Sequence, residues 1–223
     1  MLQVLKSHLI PEGEQPRVVR LGLFAGLRLN LNLRTQLQFV LGLWERETYR
    51  FVRQEVPGCE WAVDVGSGRG EYTLFFLSHP GMRQVIAVEP LDFVMPMLRS
   101  NLALNGKAHD TRLKCVEGRL GAVRHSEILR LDDLGLDPDK PGFIKLDVDG
   151  GEVDVLTGGS ALLAGGKVRM LIETHSQELE RDCISLLEKA GYRCQVIKNA
   201  WWRKVLHEER PTDFNRWLAV TPG

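Results

Sequence analysis

The chain predicts a doubly wound α/β fold, a mostly parallel sheet with helices on both faces. Three observations predict it. From residue 58 onward, short apolar runs alternate with stretches of helical spacing, the pattern of βαβ units. The run Val63-Asp64-Val65-Gly66-Ser67-Gly68-Arg69-Gly70-Glu71 joins an apolar strand end to a glycine-rich turn and then a helix. Finally, Asp64, Glu89, Asp147 and Glu173 each fall at the carboxyl end of a predicted strand, which is where such sheets bind ligands.

The elements follow in order. Val19, Leu21 and Leu23, then Leu27, Leu29, Leu31 and Leu33, alternate with period two, and Ala25-Gly26 supplies a turn, so residues 18–34 predict a β-hairpin. Residues 36–56 switch to helical spacing, with Leu37, Val40, Leu41, Trp44, Phe51, Val52 and Val56 on one side, and Pro57-Gly58 stops that helix. Strands are then expected at 61–65, 85–88, 113–116, 143–148 and 168–172, with a short extended piece at 128–131. Helices are expected from the glycine loop to about His79, over 93–105 with Asp92 as cap, near Val153, and over 177–190 with Ser176 as cap. Residues 194–197 and 217–220 read as a closing antiparallel pair, with a connection too long for a simple hairpin loop. Two units result: a hairpin-and-helix cap over 1–57 and the α/β domain over 58–223.

Composition narrows the function classes. Formal net charge is +0, with 29 basic and 29 acidic residues, so the basic excess of a nucleic-acid binder is missing. Cys59, Cys115, Cys183 and Cys194 are scattered and read as reduced core thiols in a cytoplasmic protein, not as a zinc site. No apolar run approaches a membrane span, and Lys6 and His8 are followed by no long apolar stretch of an export signal.

The glycine loop selects the ligand. A dinucleotide fingerprint places its third glycine where this chain has Glu71. Carboxylates at Asp64 and Glu71 would repel a pyrophosphate and suit a cation. S-adenosylmethionine, with its sulfonium and ammonium, meets that requirement. Asp64, Gly66, Ser67, Gly68, Gly70 and Glu71 are assigned to its methionine and ribose end, and Glu89 to the ribose hydroxyls. Glu117 and Gly118, after the third strand, are placed at the adenine.

Further motifs carry a family likeness. Gly42-Leu43-Trp44-Glu45 precedes Pro57-Gly58 and the glycine loop. Glu89-Pro90 precedes a helix with Leu98, Asn101 and Asn105. Leu131-Asp132-Asp133-Leu134 leads into Ile144-Lys145-Leu146-Asp147-Val148-Asp149-Gly150-Gly151-Glu152, and Glu173 and His175 close the series. Over residues 40–176 the chain resembles the FkbM family of class I S-adenosylmethionine-dependent methyltransferases. It departs from that pattern at Ser67 and Arg69, and at Asp149, which replaces the usual glutamate. The resemblance implies a Rossmann-like methyltransferase sheet, mostly parallel with an antiparallel last strand. It further implies O-methylation of a small hydroxylated acceptor, such as a sugar or natural product, and brings Pro90 to the cofactor and Trp44 and Glu45 over cofactor or substrate.

Several roles stay open at this stage. Lys145 lies in a strand buried on both faces; it either pairs with Asp147 or Asp64 or acts as a general base of lowered pKa. Asp147, Asp149 and Glu152 bind substrate hydroxyls, hold a hard cation, or form a solvated loop; no metal is assigned. His175 is the candidate general base, oriented by Glu173. Trp201, Trp202 and Phe214 form a lid, a subunit contact or a satellite cluster. The hairpin either caps the domain or pairs across a homodimer. A nicotinamide oxidoreductase and a non-catalytic S-adenosylmethionine-binding scaffold are the competing function classes, with an RNA methyltransferase disfavoured by charge.

Overall fold

The computed structural model describes residues 12–204 and 214–223. Its centre is a seven-stranded sheet. Strands β3 (Trp61–Val65), β4 (Gln84–Glu89), β5 (Leu113–Glu117), β8 (Gly142–Leu146) and β9 (Val168–Thr174) are parallel, while β11 (Arg216–Pro222) runs antiparallel between β9 and β10 (Tyr192–Ile197). The spatial order is β10-β11-β9-β8-β3-β4-β5. The chain leaves β3 toward β4 and β5, then returns to place β8 on the other side of β3. That reversal opens a crevice beyond the carboxyl ends of β3 and β8.

Both faces of the sheet are covered, so its strands read as almost unbroken apolar runs. Ala62, Val85, Ala87, Phe143, Leu171 and Trp217 face one core cluster, shared with the N-terminal elements and with helices α3 (Glu71–Ser78) and α4 (Met95–Leu104). Trp61, Val63, Val65, Ile144, Leu146 and Ile172 face the other, packed on α5 (Glu152–Thr157), α6 (Ser160–Ala164) and α7 (Gln177–Lys189). Ser176 Oγ accepts from Leu179 N–H and starts α7 as its sequence position predicts. The buried apolar residues of segment 12–57 lie in the first cluster with the sheet, so one core crosses the boundary expected at 57. The four cysteines are free, and no helix among the described residues is long and apolar enough to cross a membrane.

Three expectations need correction, while a fourth is met outside the main sheet. Antiparallel pairing occurs between β1 (Gln15–Val18) and β2 (Arg28–Leu31), not through Leu21 and Leu23, because residues 20–26 form turns that bury Phe24 and leave Leu21 exposed. The helix expected over 36–56 is two, α1 (Leu33–Val40) and α2 (Tyr49–Glu55), joined through a short 3-10 turn at Arg46–Thr48. Gly42 makes the break: its φ is +63°, and a Cβ there would lie 2.5 Å from the Leu21 carbonyl oxygen. Asp92 does not cap α4, whose start is set by Pro96 in its first turn. The short extended piece is β7 (Ile128–Leu129), which pairs parallel with β6 (Arg119–Leu120) outside the main sheet.

Side-chain amides fasten the N-terminal segment to the sheet domain. Asn101 of α4 is fully buried; its Oδ1 accepts from Asn30 N–H at 2.8 Å and its Nδ2 donates to the Arg69 carbonyl at 2.9 Å. Asn105 exchanges hydrogen bonds with both backbone groups of Arg28. Arg69 closes the loop by donating to Glu14 and to the Asn30 carbonyl.

Candidate functional site

A cavity of about 490 Å³ opens at the carboxyl ends of β3, β4, β8 and β9, within the size range of small-molecule sites. Of the residues singled out by sequence, Trp44, Glu45, Gly66, Glu89, Pro90, Gly118, Asp147, Asp149, Glu173 and His175 lie on its wall. Asp64, Ser67, Gly68, Gly70, Glu71, Glu117, Lys145 and Glu152 do not.

The glycine loop supports the floor. Gly66 N–H donates to the Val88 carbonyl, and a Cβ at Gly66, whose φ is +73°, would sit 1.8 Å from the Asp147 carbonyl oxygen. Only glycine lets the ends of β3 and β8 approach so closely beneath the cavity. Glu89, buried at the end of β4, accepts Gly68 N–H at 2.9 Å and Leu91 N–H at 3.0 Å, one on each oxygen. Each oxygen keeps a lone pair for a diol. Gly68 therefore acts by holding Glu89, not as cavity wall.

Asp64, expected on the cofactor, lies off the cavity wall and supports the fold. Its Oδ2 accepts from Thr73 N–H at 2.9 Å and Thr73 Oγ1 at 2.6 Å, which pins the start of α3. Register places it opposite Lys145 of β8. Glu71 and Ser67 lie beside this scaffold off the wall, and burial pushes Glu71 up to about 7. Glu117 is likewise off the wall, engaged with Arg99, although Gly118 beside it is on it.

Lys145 is buried and donates to Asp147 Oδ2 at 3.0 Å and to the Gly66 carbonyl at 3.1 Å, with Asp64 Oδ1 at 3.9 Å and the Tyr72 ring at 5.6 Å. Burial alone would lower its pKa, but Asp147 and Asp64 hold it above the ordinary lysine value. The general-base alternative needs the opposite shift, and the geometry matches the ion-pair alternative: Lys145 is the cation that joins strand ends β3 and β8. Burial likewise acts to raise Asp147, and the Lys145 ammonium and a hydrogen bond with Glu173 overcome it to hold the carboxyl low.

His175 follows β9 and is mostly buried, with Nδ1 2.5 Å from Glu152 Oε1. Its Nε2 lies 3.4 Å from Asp149 Oδ1 and 3.6 Å from Asp147 Oδ1, on the cavity side. Glu152, expected on the substrate, is completely buried behind the imidazole at the start of α5. It therefore orients His175, the task expected of Glu173. Burial works to lower the His175 pKa, but the Glu152 hydrogen bond and the Asp147, Glu152 and Asp149 charges set it above the ordinary histidine value. Glu173 instead accepts from Asn215 Nδ2.

Asn215 was missed by sequence reading; it precedes β11, whose antiparallel register sets Trp217 opposite Glu173. Arg203 donates to Asn215 Oδ1 at 3.0 Å and pairs with Glu47 at 2.6 Å, linking the C-terminal segment to the turn that carries Trp44 and Glu45. Glu45 has a left-handed backbone, φ 50°, and accepts from Tyr72 Oη at 3.0 Å. Such a conformation on a buried non-glycine residue is strain of the kind that marks ligand sites. Trp44 stacks on Phe39 at 4.5 Å and also lines the cavity, so it serves packing and wall together. Of the suggested aromatic lid, Trp201 is exposed, Phe214 lies under the Arg216 guanidinium, and the Trp202 side chain falls outside what is described.

Asp147, Glu173 and His175 offer atoms within 4.8 Å of one another, but Lys145 and Asn215 already engage the two carboxylates. The wall chemistry fits a cationic adenosyl ligand: Glu89 oxygens that can accept further hydrogen bonds, backbone close approach at Gly66, and carboxyl groups elsewhere on the cavity wall.

Comparison with known proteins agrees. The methyltransferase FkbM domain matches residues 64–194. No curated protein matches the sequence significantly. Among solved structures, a methyltransferase FkbM from Methylobacillus flagellatus superimposes with TM-score 0.56 at 19% identity, covering 73% of this chain and 44% of that one. The chain thus spans less than half the length of that relative. A SAM-dependent O-methyltransferase from Thermotoga maritima gives TM-score 0.52 at 17% identity, covering 79% and 64%. A precorrin-6y C5,15-methyltransferase from Geobacter metallireducens gives 0.50 at 14%, covering 79% and 86%. At these identities the structures establish the shared fold alone.

Proposed function

The chain belongs to the FkbM methyltransferase family, and from that premise we propose that it O-methylates a hydroxyl of a small molecule with S-adenosylmethionine as methyl donor. The observation that carries this reading is the Glu152–His175 pair, with Nε2 on the cavity side near Asp147 and Asp149. When bound, S-adenosylmethionine supplies an electrophilic methyl group on a cationic sulfur.

The chain's residues then divide the work. Glu89, Pro90 and Gly118 hold the nucleoside end, and Gly66 admits the ligand close to the backbone. Asp147, locked by Lys145, accepts a hydrogen bond from the acceptor and fixes its direction of attack. Such orientation is worth roughly 7–11 kcal/mol of barrier. His175 Nε2 takes the hydroxyl proton, and Glu152 stabilises the imidazolium that forms; a positioned base contributes about 100- to 10,000-fold. Asp149, Glu173 and Trp44 shape the acceptor's side of the wall. The acceptor in this reading is a small polyol or natural-product intermediate and not a nucleic acid, in keeping with a formal net charge of +0.

The test is methyl transfer from radiolabelled S-adenosylmethionine to a panel of hydroxylated small molecules. The reading expects a labelled methyl ether, and a His175→Ala enzyme slower by about 100-fold or more with donor affinity kept. Label found only on nitrogen or carbon, or undiminished turnover in His175→Ala, would contradict it.

A further inference from the structure

The acceptor end of the cavity is anionic in a way that donor binding does not use up. Five carboxyl groups lie on the wall, those of Glu45, Glu89, Asp147, Asp149 and Glu173, of which Asp147 and Glu173 are joined by a hydrogen bond and so share one proton, whereas its permanent cation among the described residues is Arg119. Arg119 belongs to β6, which directly follows β5 and pairs with β7 outside the seven-stranded sheet. Four of the five acids are engaged within the protein. Glu45 accepts from Tyr72, Glu89 from Gly68 and Leu91, Asp147 from Lys145, and Glu173 from Asn215. The Arg203 guanidinium near this end is paired with Glu47.

Asp149 differs. Its side chain is 69% exposed, and among the described residues its one ion-pair contact is His175 Nε2 at 3.4 Å. A base must be neutral to act, so that contact provides no charge when the site is competent. An uncompensated carboxylate beside a partly dry cavity repels anions and recruits cations. The half-buried indole of Trp44 on the same wall adds an aromatic face that favours a cation.

Resting on the reading of this cavity as a methyl-transfer pocket, we infer that the acceptor carries a positive charge near its reacting hydroxyl, as an amino sugar or other amine-bearing polyol does, and that Asp149 receives its ammonium group. Asp149 is then the residue that sets acceptor class, at a position where the sequence departs from its family's glutamate. Phosphorylated and carboxylated acceptors are rejected by the same wall.

The experiment uses the full chain with labelled S-adenosylmethionine and a matched panel: methyl glycosides of amino sugars, their N-acetylated forms, and the corresponding uronic acids. Transfer is expected to the amines, at lower KM than to the acetylated forms, with none to the acids. Asp149→Asn is expected to raise KM for the amines roughly tenfold to a hundredfold while donor affinity, read by calorimetry, stays the same. The gap between amine and acetylated acceptors closes in that variant. Equal use of acetylated or acidic members, an Asp149→Asn enzyme with unchanged KM, or a donor-binding wild type that methylates no amine overturns the inference. A wild type that binds no donor overturns the underlying methyltransferase reading, and this inference with it.

Discussion

His175 and Lys145 show how the same anionic surroundings give two residues different chemistry. Glu152 raises the imidazole's pKa above the ordinary histidine value, and a base works only in its neutral form. Methyl transfer therefore falls as pH drops through that raised pKa, on the alkaline side of the usual histidine range. Glu152→Gln removes one of the charges that raise it, so the acidic limb of kcat moves to lower pH; an unmoved limb in a pH–rate profile would remove Glu152 from the orienting role. Lys145 is charged at all working pH values, and its loss strands two acids. Lys145→Met is expected to cost about 3–5 kcal/mol in urea unfolding at neutral pH. The sign with pH is set by the acids: as pH falls and Asp64 and Asp147 protonate, the deficit shrinks. A deficit independent of pH would show that the ion pairs do not carry the effect. Lys145 was legible in the sequence because a lysine in a doubly buried strand demands a partner. Glu152 was not, since nothing local distinguishes an acid at a helix start that faces solvent from one that faces an imidazole from another strand.

Among the elements, the turns decide what the strands present. Gly66→Ala places a methyl group against the Asp147 carbonyl in an already left-handed turn. Its affinity for S-adenosylhomocysteine is expected to drop by about tenfold or more. Wild-type affinity in titration would place the donor elsewhere. Asn101→Leu unfastens β2 from the Arg69 carbonyl and leaves the Asn30 N–H without its acceptor. That substitution should lower stability by about 1–3 kcal/mol in denaturant unfolding, and an unaffected midpoint would make the fastening ornamental. Strand positions in the parallel sheet were read closely from sequence because each apolar run is bounded by turn residues. The helix over 36–56 was misread because its apolar spacing carries across Gly42, and only the contact with Leu21 shows that the chain must turn there. That break is what brings Trp44 and Glu45 to the cavity.

At the scale of the whole molecule, the strand order puts β3 and β8 side by side at the point where the connections reverse, and the cavity follows from that topology. The acids at strand ends were therefore readable as a group from sequence, whereas their division into wall and scaffold was not. Asp64 and Glu89 occupy similar places in sequence, but Thr73 captures one while the other keeps lone pairs toward the cavity. Asn215 escaped notice because its link to Glu173 depends on an antiparallel strand returning from the far end of the chain. The central claim is that this crevice binds a cationic adenosyl ligand. Isothermal titration of the purified chain with S-adenosylmethionine tests it most directly: the account predicts saturable binding of one ligand per chain, and a titration that releases and absorbs no heat at any attainable ligand concentration would contradict it.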